Sequence, residues 1–160
     1  TAEIDGLQWK YVDFQRRQIL IRETWVGGKL DYTKNDGSQR EIDMSEPVYQ
    51  ALIGQREKNG SGQFVFCTRE GTPHAYRNIN DRVWYPLLRH LGLRRRRPYQ
   101  TRHTAATLWL AAGENPEWIA RQMGHTTTEM LFRVYSRYVP NLTRRDGSAF
   151  DNLIKANLKA

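Results

Sequence analysis

The chain has 160 residues, and 25 lysines and arginines against 17 aspartates and glutamates leave a net charge of +8. That length suits one domain with a single core, the 39% hydrophobic content argues against a disordered chain, and a lone cysteine, Cys67, excludes a disulfide framework or a multi-cysteine metal site. The longest apolar stretch, residues 105–112, falls far short of the roughly 20 residues that span a bilayer, and the first residues carry neither the basic nor the apolar part of a secretory signal. The expectation is a basic, cytoplasmic domain with a polyanionic partner, which usually means nucleic acid.

In chain order, Ile4, Leu7 and Tyr11 have helical spacing, and the chain opens as a helix cut near its start. Residues 18–26 are β-branched and aromatic, Gly27-Gly28 is a turn pair, and residues 30–34 form a second short strand. Asn35-Asp36-Gly37-Ser38 is a hairpin turn, after which Arg40, Ile42 and Met44 alternate with Glu41 and Asp43. Together these predict a three-stranded antiparallel meander. Ser45 and Pro47 open a helix that ends in the loop at 59–62. Residues 64–66 form a short apolar strand or turn, and 70–73 is loop. Ile79, Val83, Trp84, Leu87, Leu88 and Leu91 make a helical stripe closed by Gly92 and kinked at Pro86. A basic run, Arg94, Arg95, Arg96 and Arg97, precedes helices at 101–112, 117–123 and 129–138, punctuated by Gly113, by Asn115-Pro116 and by Gly124. Pro140 breaks the chain, and Phe150, Leu153, Ile154 and Leu158 predict a last amphipathic helix. The class is α+β, mainly α: a small three-stranded antiparallel sheet followed by a helical bundle.

Breaking a DNA phosphodiester without a metal needs an in-line nucleophile, cationic donors on the non-bridging oxygens, and an acid for the leaving oxygen. Arginine suits the second task because its planar fork stays charged and donates bidentately. Arg102 and His103 stand near a predicted helix N-terminus, a position that favours phosphate. His125 follows a helix stop in Gln122-Met-Gly-His125, and Tyr135 comes ten residues later. No spacing of His and Cys supports a metal site. Tyr138, one helical turn beyond Tyr135, is a nearby decoy that reads as packing, as do Trp118, Ile119 and Met123.

This order of Arg102-His103-Thr104, Met123-Gly124-His125 and Tyr135 resembles the catalytic domain of the tyrosine recombinases, the phage-integrase family. The resemblance covers nearly the whole chain. It implies that Tyr135 is the nucleophile, that Arg102 and His125 stabilise charge on the phosphate, and that Lys34, on the hairpin before Asn35, protonates the leaving 5′ oxygen. Tyr99 stands where the family has a histidine, and it can donate to a phosphate oxygen. Its phenol, with a pKa near 10, is a poor base at neutral pH. Arg94, Arg95, Arg96 and Arg97 are expected on the flanking DNA backbone, where contacts carry no sequence information. His103, on another face of its helix, is expected to orient neighbours and is counted with the DNA-contacting residues.

The resemblance also implies a first catalytic arginine three residues before Glu3, which falls before Thr1, so residues 1–147 are expected to be a partial catalytic domain. Residues 148–160 are expected to be a tail helix exchanged within a homotetramer on double-stranded DNA. It implies no cofactor or metal and no membrane. Two other functions fit the same residues: a DNA-binding fragment without catalysis, and an enzyme like the type IB topoisomerases.

Overall fold

The computed structural model describes residues 2–32, 39–135 and 148–157. A short helix, α1 (Ala2–Asp5), and a 3₁₀ turn (Trp9–Tyr11) lead into five strands: β1 (Val12–Asp13), β2 (Gln18–Ile21), β3 (Glu23–Val26), β4 (Lys29–Tyr32) and β5 (Arg40–Asp43). The helices follow: α2 (Glu46–Asn59), α3 (Tyr76–Ile79), α4 (Tyr85–His90), α5 (Gln100–Ala112), α6 (Pro116–Met123), α7 (Glu129–Tyr135) and α8 (Ser148–Asn157).

The strands do not form one meander. β1, β2 and β5 make a three-stranded antiparallel sheet in that order, and β3 and β4 make a separate hairpin. The predicted strand at 18–26 is two strands, broken at Arg22. Its guanidinium turns back on the carbonyls of Ile21 and Arg40, which closes the end of the β2–β5 ladder. In that ladder Ile19 faces Ile42 and Ile21 faces Arg40. Just beyond the break, Glu23 is buried, with Gln8 donating to it and Lys10 Nζ 3.5 Å away. The Gly27-Gly28 turn forms as expected: both residues have positive φ, 59° and 82°, the hand that a two-residue hairpin needs. The Asn35–Ser38 turn lies outside the described residues. Residues 64–66 form no strand, and pair only through an isolated bridge from Phe64 to Gln8.

The stripe from Ile79 to Leu91 is helical throughout but not uniform. A wide, π-type turn (Asn80–Trp84) separates α3 from α4. Pro86, at the start of α4, has no N–H for a bond to the preceding turn, which accounts for the irregularity there. α6 begins as its sequence dictates. Asn115 caps it, accepting from the N–H groups of Glu117 at 2.8 Å and Trp118 at 3.3 Å, with Pro116 at the first helical position.

Two apolar clusters hold the chain together. Leu7, Val12, Met44, Leu52 and Val65 join the sheet to α2. Ala106, Leu110, Ile119, Met123, Leu131 and Tyr135 join α5, α6 and α7. The second cluster hangs on the first through β5 and α6. Trp118 Nε1 donates to Asp43 Oδ2 at 2.8 Å, and Gln122 meets the same strand. In α8, Phe150 and Ile154 are exposed, and Leu158 lies outside the described residues. Ile119 has no exposed surface, so Ile119→Ala should cost about 2–5 kcal/mol of unfolding free energy. Urea denaturation of the two proteins measures it.

Candidate active site

Three of the expected site residues come from the first turn of α5 and its approach. Tyr99 is exposed beside the helix start, and its ring stands edge-on to that of His103, with centroids 5.5 Å apart. The backbone donors that would make this helix end a phosphate cradle are already used. The N–H groups of Gln100, Thr101 and Arg102 bond to the carbonyls of Arg97, Pro98 and Tyr99 at 2.9, 2.9 and 3.1 Å. An anion at this helix end would therefore have to be held by side chains rather than by the helix terminus.

Arg102 is half-buried, and one terminal nitrogen donates to the carbonyl of Met123 at the end of α6. Among the described residues this is the only hydrogen bond of its guanidinium, which carries five donors. His125 follows directly after Gly124, whose left-handed φ of 68° lets the chain leave α6. Its backbone N–H bonds to the Ala120 carbonyl at 2.8 Å, and its Nδ1 is buried without a partner among the described residues. Burial lowers the proton affinity of His125, and the charges of Arg102 and Arg40 lower it further. The imidazole is thus neutral at pH 7 and available as an N–H donor.

Tyr135 ends the described part of α7 and is a core residue, 4% exposed. Its hydroxyl lies 2.8 Å from His103 Nδ1. Burial pushes the phenol's pKa up; Arg102 acts against this, and Tyr99 adds to it. Tyr135 and His103 line one cavity with Arg96, whereas His125 lines another with Arg40 and Arg121. Arg102 bears electrostatically on both Tyr135 and His125.

The structure thus brings together Tyr99, Arg102, His103, His125 and Tyr135 around the junction of α5, α6 and α7. Lys34 lies outside the described residues, as does Tyr138. Arg94, Arg95, Arg96 and Arg97 are all exposed on an extended segment. That segment is fixed by Trp84 Nε1 donating to the Arg96 carbonyl at 2.7 Å, and by Arg95 over the Tyr85 ring. His103 faces Tyr135, on a different side of α5 from Arg102.

Sequence reasoning missed Arg40. Its terminal nitrogens donate to both oxygens of Glu3, each at 2.8 Å. The signal was present: Arg40 alternates with Ile42 and Met44 on the inward side of β5, and a cation on such a face must be paired. Burial alone would raise the pKa of Glu3, but its bonds to Arg40 and the charges of Arg40 and Arg102 outweigh that and hold it below the usual carboxylate range. Among the described residues there is no group of three or more His, Cys, Asp or Glu able to hold a metal, and no helix long and apolar enough to cross a membrane.

A helical domain with a small antiparallel sheet is an architecture that known proteins share. The fold is that of the Tn1549 transposon integrase in complex with circular intermediate DNA, with a TM-score of 0.77 and 23% identity over 97% of this chain and 55% of that one. It is also that of XerA recombinase, with a TM-score of 0.66 and 21% identity over 97% of this chain and 52% of that one. Residues 1–141 match the Phage integrase family, and the chain belongs to it. Among curated relatives it is 27% identical to the prophage integrase IntR of Escherichia coli K12, covering 88% of this chain and 40% of that one. It is 27% identical to the transposase from transposon Tn916 of Enterococcus faecalis, covering 84% of this chain and 38% of that one. The chain therefore spans about 40% of the length of the curated relatives it matches.

Because Arg102 acts on both titrating neighbours, Arg102→Met should raise the titration midpoints of His125 and of Tyr135 together. NMR titration of the imidazole and of the phenol resonances reads both.

Proposed function

We propose that this chain is the catalytic part of a site-specific recombinase that cuts and rejoins DNA through a covalent 3′-phosphotyrosine. The observation that carries the reading is the position of Arg102. Among the described residues it has donors to spare, and its charge reaches both a tyrosine and a histidine. A phosphate bound there would meet a charged planar fork and a neutral imidazole, the donors that developing charge on its oxygens requires.

In this reading Tyr135 attacks the scissile phosphorus, and the bond to the 5′ oxygen breaks. His103, 2.8 Å from the hydroxyl, takes the phenolic proton as Tyr135 turns toward the phosphate. Lys34 supplies the proton for the leaving 5′ oxygen, and Tyr99, exposed beside the start of α5, donates to a phosphate oxygen. The reverse steps rejoin a strand, since the phosphotyrosine conserves the energy of the broken bond. Arg94, Arg95, Arg96 and Arg97 lie along the flanking backbone of the duplex, a contact that strengthens binding without reading sequence. The work is done on host-cell DNA, in the cytoplasm.

The division into a catalytic domain over 1–147 and a tail over 148–160 belongs to the same proposal. α8 presents Phe150 and Ile154 to solvent, 66% and 40% exposed. Exchange of this helix between protomers would cover them in a homotetramer on two duplexes.

Incubation with a nicked duplex that traps the cleaved strand tests the chemistry. Wild type should form a covalent protein–DNA adduct and Tyr135→Phe none, while Arg102→Ala should slow formation on the order of 10²–10³-fold. Equal adduct with Tyr135→Phe refutes the assignment. Truncation after Gly147 should leave binding to a single site intact and weaken assembly of paired sites in a gel-shift titration. Unchanged assembly removes the exchanged tail from the proposal.

A further inference from the structure

The end of α6 presents the carbonyls of Gln122 and Met123 where a helix gathers unsatisfied acceptors and the negative end of its dipole. Two guanidinium groups reach them from distant parts of the chain. Arg102 donates to Met123, and Arg40 Nε donates to the Gln122 carbonyl at 3.2 Å. Arg40 is fixed from its other side, since both terminal nitrogens are held by Glu3 and its side chain is only 8% exposed. A Cβ on Gly124 would lie 3.0 Å from Arg40 Cζ and Nη1, so the guanidinium packs against the turn that leads into His125. β5 grips the same turn through Asp43: its N–H donates to Gln122 Oε1 at 2.9 Å, and its Oδ2 accepts from Gln122 Nε2 at 3.0 Å.

We propose that Arg40 is a positioning residue of the reaction: held by Glu3, its guanidinium seats the Gln122–Gly124 turn and thereby sets where His125 and the Met123-bound Arg102 face the phosphate. The proposal rests on the recombinase reading above and adds to it a residue that reaches DNA only through others. The fork of arginine is needed because three donors act at once, two on Glu3 and one on Gln122; an ammonium is a point charge that satisfies Glu3 without spanning to the carbonyl. The charge of Arg40 also bears on His125, together with burial and Arg102. The other charged groups lining the His125 cavity are Arg22, Glu41, Glu117 and Arg121.

Two measurements on the same variants test this. The first is the titration midpoint of the His125 imidazole by NMR without DNA. The second is the rate of adduct formation on the nicked duplex, at saturating and at half-saturating DNA. Arg40→Gln leaves a carboxylate without its partner, so the paired variant Glu3→Gln, Arg40→Met serves beside it, with no orphan charge. In both, the His125 midpoint should rise. The rate at saturating DNA should fall roughly 10- to 100-fold, as expected when a catalytic group is displaced by about 1 Å, while the half-saturating concentration holds. Arg40→Lys should keep the His125 midpoint and recover part of the rate. A midpoint that stays put in both charge-removing variants overturns the proposal, and so does a wild-type rate in Arg40→Gln. A wild type that forms no adduct refutes the recombinase reading itself, while the DNA-free titration still decides whether Arg40 governs His125.

Discussion

Two positive side chains meeting the carboxyl end of one short helix is the constraint on which the site depends. α6 is eight residues long, and its last carbonyls point at α5 and the sheet. Gln122 and Met123 are buried, and left unpaired there such acceptors cost free energy; paired with guanidinium groups they become charge-assisted bonds. Arg40 and Arg102 meet that need from opposite sides, one from β5 and one from α5. The sheet, which carries no expected phosphate-binding residue within the described range, is coupled in this way to the place where His125 stands. It follows why α6 must end at Gly124. Only a left-handed residue without a Cβ both reverses the chain there and leaves room for the Arg40 guanidinium at 3.0 Å.

Local signals in the sequence carried most of the helical half. Asn115-Pro116 starts α6, Gly113 and Gly124 stop their helices with φ of 86° and 68°, and Pro86 disturbs the stripe it sits in. Each of these acts on its own neighbours through a cap, a left-handed turn or a missing donor, so each is readable without tertiary knowledge. The sheet was less legible for the opposite reason. Nothing within residues 18–26 says that the strand changes partners at Arg22, because the cause lies in Arg40 and Glu41 on β5, to which Arg22 bonds at 3.4 Å. The Gly27-Gly28 turn was correct in kind, but it joins a hairpin that stands apart from the sheet.

The site divides along the same line. Arg102, His125 and Tyr135 stand out as candidates in sequence through the order of their motifs along three consecutive helices, and the structure places them with Tyr99 around the junction of those helices. The pairing of His103 with Tyr135 was not, since it depends on how α7 packs across α5, over 32 positions of chain. Nor was the role of Arg40, whose partners lie 37 positions before it and 82 after it. In both cases the sequence showed a polar group on a face that should be apolar or structural, and left its partner unnamed.

The net charge of +8 thereby separates into groups with different duties. Arg94 to Arg97 stay exposed and available to a polyanion, whereas Arg40 is committed to Glu3 and to a helix end. Arg102 is intermediate, half-buried and held by one hydrogen bond among the described residues. Tyr135 sets the harder condition. It belongs to the same apolar cluster as Ile119 and Leu131, and the burial that packs its ring also keeps its phenol protonated. The packing that places the tyrosine therefore opposes its ionisation, and among its neighbours only the charge of Arg102 acts the other way. His103 and Arg102, neighbours in sequence on different faces of α5, reach the tyrosine in two ways from one turn of helix: the first by a 2.8 Å contact with its hydroxyl, the second by its charge.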